Sequence, residues 1–135
     1  YPHTILTPHE GEFKKIFGKE IDEINDRVLK TKEASIKSNT TVVLKGANTI
    51  IASPSGDVVI NKSSATYLAT AGSGDVLAGI ITSLVGKNKM NAFDAACAGV
   101  WLHSEMGTIL GAGMIAEDII DLIPVTVKKL LKMHQ

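Results

Sequence analysis

An α/β layered domain is the architecture this sequence predicts, on three observations. Short strand segments rich in β-branched residues come first, a hairpin turned by Pro and Gly lies in the middle, and long helical patterns fill the second half. Thr4–Leu6 has strand character and stops at Thr7-Pro8. A short helix should follow, with Glu10 and Glu12 in its first turn, where carboxylates complement the helix dipole. Ile21, Ile24, Val28, Leu29, Ala34 and Ile36 recur amid many charges, which predicts one solvated amphipathic helix over Ile21–Ser38. Thr41-Val42-Val43-Leu44 is nearly all apolar, as a strand buried on both faces should be. Thr49–Ala52 and Val58–Ile60 flank Ser53-Pro54-Ser55-Gly56-Asp57 and form the hairpin. Apart from that hairpin the strands are expected to be mostly parallel.

Packed helices should complete the domain. Asp75–Val85 has an almost uninterrupted apolar surface, and Ala92–Leu110 is rich in small residues that permit close helix packing. Ile115–Met133 opens with Glu117 and Asp118 and ends with Lys128, Lys129 and Lys132, the charge order a helix dipole favours. Pro124 should kink or divide it.

A chain of 135 residues suits one domain and can bury a core of its own. The 44% hydrophobic and 21% charged composition is that of a globular domain rather than a disordered one. Fourteen basic and fourteen acidic residues cancel, so no broad field draws the chain to nucleic acid or an anionic membrane. An anionic ligand must therefore be held by a local device. No apolar run reaches the roughly 20 residues a bilayer crossing needs. Cys97, alone in the sequence, excludes an internal disulfide and a multi-cysteine zinc site, and its apolar flanks point to a buried small residue rather than a reactive thiol. The chain opens on Tyr1, within a strand-like stretch, which points to a partial domain lacking its N-terminal half.

Thr70-Ala71-Gly72-Ser73-Gly74-Asp75 leads directly into the apolar run Val76–Ile81. Two glycines around a serine let the backbone turn its N–H groups inward, and the following helix adds its unpaired amides and positive dipole end. Gly72, Ser73, Gly74 and Asp75 thereby form a candidate anion hole for a phosphoryl group. The dipole alone contributes roughly 0.3–2 kcal/mol, so several converging N–H groups must supply most of the grip. Asp75, beside that hole, can accept the proton of an attacking hydroxyl, a role typically worth on the order of 10²–10⁴ in rate. Taken alone, the same residues also describe a helix cap on a tight turn. They are neither a Walker loop nor a dinucleotide fingerprint, because the Gly-Lys-Thr/Ser ending and the third glycine are absent.

The wider context resembles a known family. Leu68–Gly79 is similar to the anion-hole signature of ribokinase-like enzymes. Thr7-Pro8-His9-Glu10-Gly11-Glu12 resembles the TPHxGE segment of the ADP-dependent NAD(P)H-hydrate dehydratase branch. Val42-Val43-Leu44-Lys45-Gly46-Ala47-Asn48-Thr49 resembles its adenine-nucleotide strand and turn, and Ala92–His103 the helix that follows. The resemblance covers nearly all of the chain, but only the second half of a complete family domain. One departure stands out. Where family members usually carry an Asn-Pro-Gly-Met-type stretch, this chain has Ser64-Ala65-Thr66-Tyr67-Leu68-Ala69, which alters the wall of the substrate pocket.

The resemblance implies a ribokinase-like fold and a lyase that restores NADH or NADPH from the S-epimer of its hydrate, consuming ADP and releasing AMP and phosphate. It implies Asp75 as catalytic base and substrate contact, and His9 as a second substrate contact. Lys45, Gly46, Ala47, Asn48, Thr49 and Gly74 become the nucleotide site. Gly46 would let ligand approach the backbone, and Gly74 would leave room that a Cβ would crowd. Mg²⁺ is implied as the ion bridging the phosphates, without a protein cage of its own. A cytoplasmic homo-oligomer is also implied, with the absent half completing the site. Without the flanking motifs, His9 reads as a helix cap and Lys45 as an exposed residue after a strand. Two rivals remain open at this point: a kinase for a vitamin precursor, which the Thr7–Glu12 segment disfavours, and a nucleotide-binding module without turnover.

Overall fold

The computed structural model describes residues 3–62 and 73–110. Nine elements follow in order: β1 (Ile5–Leu6), α1 (Glu10–Phe17), α2 (Lys19–Asp22), α3 (Arg27–Ser38), β2 (Thr41–Leu44), β3 (Asn48–Ala52), β4 (Val58–Lys62), α4 (Ser73–Gly86) and α5 (Ala92–Leu110). The four strands form one sheet in the order β1-β2-β3-β4. β1 runs parallel to β2, whereas β2, β3 and β4 are successively antiparallel. Among the described residues the sheet is therefore mixed, with a single parallel pair, because β2 feeds straight into the hairpin. The expected helix over Ile115–Met133, with Pro124, lies outside the described residues, as do Ser64–Ala69 and Gly72.

Alternation along β2 builds the layers. Val42, Val43 and Leu44 are all fully buried, on opposite faces in turn. Val43 packs with Ile51, Leu77, Ile81, Ala95, Ala96 and Val100, so α4 and α5 cover its face. Val42 and Leu44 pack with Phe13, Ile21 and Ala34, so α1, α2 and α3 cover the other. The result is helix, sheet and helix in three layers, with the core on both sides of β2 and β3. Gly99 shows how closely α4 and α5 approach, since a Cβ there would stand 2.5 Å from Ile81 Cγ1. The small-residue composition of α5 serves that approach. Ser35, fully buried on α3, donates its hydroxyl to the carbonyls of Thr40 and Ala52, tying the helix to the sheet.

The turn between β3 and β4 closes as its residues dictate. Ser53 N–H donates to Asp57 O at 2.9 Å, Gly56 N–H to Ser53 O at 3.0 Å, and Gly56 takes a φ of +97°. The helix expected over Ile21–Ser38 is instead two. α2 ends at Asp22, and α3 restarts at Arg27 behind Asp26, whose carboxylate accepts from Val28 N–H and Leu29 N–H at 2.9 and 3.2 Å. The apolar spacing runs across this break, while the cap satisfies the orphan amides of a new helix start. No described helix is long and apolar enough to cross a membrane.

Candidate functional site

Three separated segments meet at one edge of the sheet. The parallel register of Ile5 with Thr41 and Leu6 with Val42 continues to a bridge between His9 and Lys45. Lys45 N–H donates to Pro8 O at 2.9 Å. The Thr7–Glu12 and Leu44–Thr49 segments thus end side by side at the carboxyl end of the parallel pair, where open α/β sheets hold their ligands. The third segment is the start of α4. A Cβ on Gly74 would lie 3.3 Å from Lys45 Nζ, so the ammonium reaches the first turn of that helix. The N–H groups of Ser73, Gly74 and Asp75 there have no partner within the helix, and the dipole adds positive potential beside the lysine.

Asp75 stands exposed in that first turn, and none of the described ion pairs engages it. A carboxylate so placed is open to a ligand. α4 begins at Ser73, two residues before the expected start at Asp75, so Ser73 and Gly74 lie in its first turn rather than in the preceding loop, while Gly72 falls outside the described residues.

His9 has a structural task whatever else it does. It is the N-cap of α1: Glu12 N–H donates to His9 Nδ1 at 3.1 Å, and His9 N–H donates to Glu12 Oε1 at 3.0 Å. An amide can only donate, so Nδ1 must present a lone pair, and the neutral ring carries its proton on Nε2. His9 is 60% exposed at its side chain and its Nε2 lies 3.3 Å from Glu12 Oε1, so a ligand would share that N–H with the carboxylate. Gly11 has its reason here as well. A Cβ on it would stand 3.1 Å from His9 Cε1, so the glycine makes room for the ring to fold back. Glu12 is held below the usual carboxylate range chiefly by the His9 backbone N–H, against a small desolvation cost, with the charges of Lys45 and Lys15 helping.

The turn after β2 is closed by Thr49, whose hydroxyl accepts from Gly46 N–H at 3.4 Å and donates to Gly46 O at 3.2 Å. Ala47 and Asn48 are exposed on it. Gly46 needs a revised reason. The space beside it is filled by a neighbour rather than left to a ligand, because a Cβ there would stand 2.8 Å from Arg27 Nη2. Arg27 also donates from Nε to Glu10 Oε1 and from Nη1 to Asn48 O, each at 2.6 Å. Sequence reasoning passes over this arginine, since it lies in none of the motifs and its contacts are 17 and 21 residues away. Among the described residues, no group of three or more His, Cys, Asp or Glu converges as a metal centre.

Among the described residues, an ammonium, the amides of a helix start, an exposed carboxylate on its first turn and an imidazole come together at the carboxyl end of the parallel pair. Comparison with known proteins gives the same direction. The NAD(P)H-hydrate dehydratase family matches residues 2–124. The chain is 40% identical over 122 residues to the ADP-dependent (S)-NAD(P)H-hydrate dehydratase of Neisseria meningitidis, covering 85% of this chain and 41% of that protein. A crystal structure of the ADP/ATP-dependent NAD(P)H-hydrate dehydratase of Bacillus subtilis, co-crystallised with ATP and Mg²⁺, superposes with a TM-score of 0.80 at 30% identity, covering 93% of this chain and 47% of that one. A ribokinase-like superfamily protein of Enterococcus faecalis gives 0.79 at 27% identity, covering 96% and 45%. The chain spans less than half the length of each of these relatives. It has their ribokinase-like α/β fold, and it belongs to the NAD(P)H-hydrate dehydratase family.

Proposed function

We propose that this chain carries the nucleotide-gripping part of an ADP-dependent enzyme that dehydrates the S-epimer of NADH-hydrate or NADPH-hydrate. The observation that carries the reading is the meeting of Lys45 Nζ with the start of α4 at Gly74, beside the His9–Lys45 bridge. Three motif segments far apart in sequence thereby face one space.

Hydroxide is a poor leaving group and phosphate a good one, so the ring hydroxyl is first made into a phosphate ester. In that step the hydroxyl oxygen bonds to the β-phosphorus of ADP, the bond to AMP breaks, and Asp75 takes the hydroxyl proton. Lys45 and the amides of residues 72–75 hold the charge that builds on the phosphoryl oxygens, as preorganised donors do in phosphoryl transfer. In the second step the C–O bond breaks, phosphate leaves with the former hydroxyl oxygen, and a neighbouring ring proton passes to water, its C–H electron pair forming the double bond that restores the dihydronicotinamide. His9 binds the hydrated ring through its Nε2–H. Asn48 and Thr49 line the nucleotide, Gly46 shapes their turn, and Ala47 is its exposed shoulder. Mg²⁺, when bound, neutralises the phosphates. It fits a site that contributes few protein ligands, because this ion is commonly held by phosphates and water with one or two carboxylates.

The test is Asp75→Asn in the natural full-length protein. Turnover of the hydrated cofactor should fall by on the order of 10²–10⁴, while AMP affinity changes little. Unimpaired turnover would remove Asp75 as the base.

A further inference from the structure

We infer that Arg27 is a positioning residue for the nucleotide turn, holding Gly46–Asn48 against the helix that His9 caps. The inference rests on the nucleotide reading of that turn.

Arg27 is the first residue of α3, and its guanidinium fork has three neighbours. Nε donates to Glu10 in the first turn of α1, Nη1 donates to the carbonyl of Asn48, and Nη2 fills the space a Cβ on Gly46 would take. A planar fork fixes two partners in one geometry, which a lysine ammonium cannot. Its anchor is firm. The second Glu10 oxygen accepts from Lys30 Nζ at 2.8 Å, and Lys30 is only 6% exposed. That ammonium also reaches Asp22 Oδ1 at 3.4 Å and lies 4.9 Å from the Phe13 ring centroid, with Phe13 fully buried. A path of direct contacts therefore runs from the core through Lys30 and Glu10 to Arg27, and from there to the turn.

The turn needs such support. Asn48 and Thr49 already pair with Lys62 and Asn61 of β4, but within the turn the described bonds are two long ones between Thr49 and Gly46, and Ala47 and Asn48 are exposed. Lys45, immediately before Gly46, must extend its ammonium to Gly74 across the edge of the sheet. Arg27 fixes where that extension begins. The glycine and the arginine form a pair, since either a larger residue at 46 or a shorter one at 27 undoes the contact.

The test is a double-mutant cycle in the natural full-length protein, using Arg27→Ala, Gly46→Ala and both together. Steady-state kinetics with ADP and the hydrated cofactor are read alongside AMP binding by calorimetry. Loss of positioning equivalent to one charge-assisted bond, about 1.5–3 kcal/mol, should raise KM for ADP and Kd for AMP by about 10- to 150-fold. At saturating ADP, kcat should stay within about threefold, and KM for the hydrated cofactor should not move, a split that general unfolding does not produce. Gly46→Ala should cost nearly as much as Arg27→Ala, and the double variant no more than Arg27→Ala alone. Should Arg27→Ala fail to fold, Gly46→Ala carries the same readout with the arginine retained. Unchanged nucleotide affinity in Arg27→Ala, a loss confined to kcat, or additive costs would each overturn the positioning role. A wild-type protein that binds no adenine nucleotide would overturn the underlying reading, and this role with it.

Discussion

Gly74→Ala separates nucleotide binding from folding. The residue lies in the first turn of α4, its φ is not among the positive values, and alanine is the better helix former by roughly 0.5–1 kcal/mol. The new Cβ would stand 3.3 Å from Lys45 Nζ. That is slightly closer than an ordinary contact, but the neighbour is the tip of a flexible side chain and can yield by a few tenths of an ångström. The free protein should therefore keep its thermal midpoint or gain slightly. On the proposed placement of phosphate, the nucleotide complex should have no such freedom. A phosphoryl oxygen bound between the Gly74 amide and the ammonium needs the space the methyl group takes, and it loses a charge-assisted hydrogen bond worth about 1.5–3 kcal/mol. The expected loss of ADP and AMP affinity is about 10- to 150-fold. Calorimetric titration with AMP, paired with thermal unfolding of the same samples, reads both quantities. An AMP affinity within twofold of wild type, in a protein of unchanged stability, would refute the placement of phosphate at this helix start.

Two further outcomes follow from the electrostatics. Burial pushes the Glu10 carboxyl up, but hydrogen bonds and charge from Lys30 and Arg27 outweigh it and hold the group below its ordinary 4.5. A lowered folded-state value means that the stabilisation is present above about pH 4.5 and is lost as pH falls through the folded value, so Glu10→Gln should flatten the acid limb of the stability curve and leave its alkaline limb alone. An unchanged acid limb in chemical denaturation would contradict the network. Cys97 is half-buried, and burial, with Asp94 adding repulsion, pushes its thiol from 9.0 to about 11. Its thiolate at pH 8 should be roughly 100-fold scarcer than that of a free cysteine, so alkylation by iodoacetamide should be slow in the folded protein and fast in denaturant. Equal rates in the two states would show an open thiol.

Much of this fold is legible in the sequence because local and global preferences agree. Thr41–Leu44 is apolar throughout and becomes the strand buried on both faces. Ser53–Asp57 carries its turn chemistry in its side chains, and Ala92–Leu110 forms one helix over the span its composition predicts. Legibility ends where two signals conflict. Ile21, Ile24 and Val28 keep a helical period across Asn25-Asp26, and the pattern hides the cap that restarts the chain. Asp26, a residue type that favours caps, was the available sign.

The site divides in the same way. His9, Lys45 and Gly74 stand out through their motifs, and the structure brings them to one edge. The reasons for Gly11 and Gly46 are not local, since each yields its space to a side chain, His9 in one case and Arg27 in the other. No spacing rule links Arg27 to Glu10 and Asn48. That contact exists only once α1, α3 and the turn have packed together.

The central claim is that phosphate is held between Lys45 and the amides opening α4. A crystal structure of the natural full-length protein with AMP bound tests it most directly. The account predicts a phosphoryl oxygen within about 3.2 Å of the Gly74 amide and of Lys45 Nζ, the ordinary reach of a hydrogen bond. Nucleotide bound elsewhere, with both groups left to solvent, would contradict it.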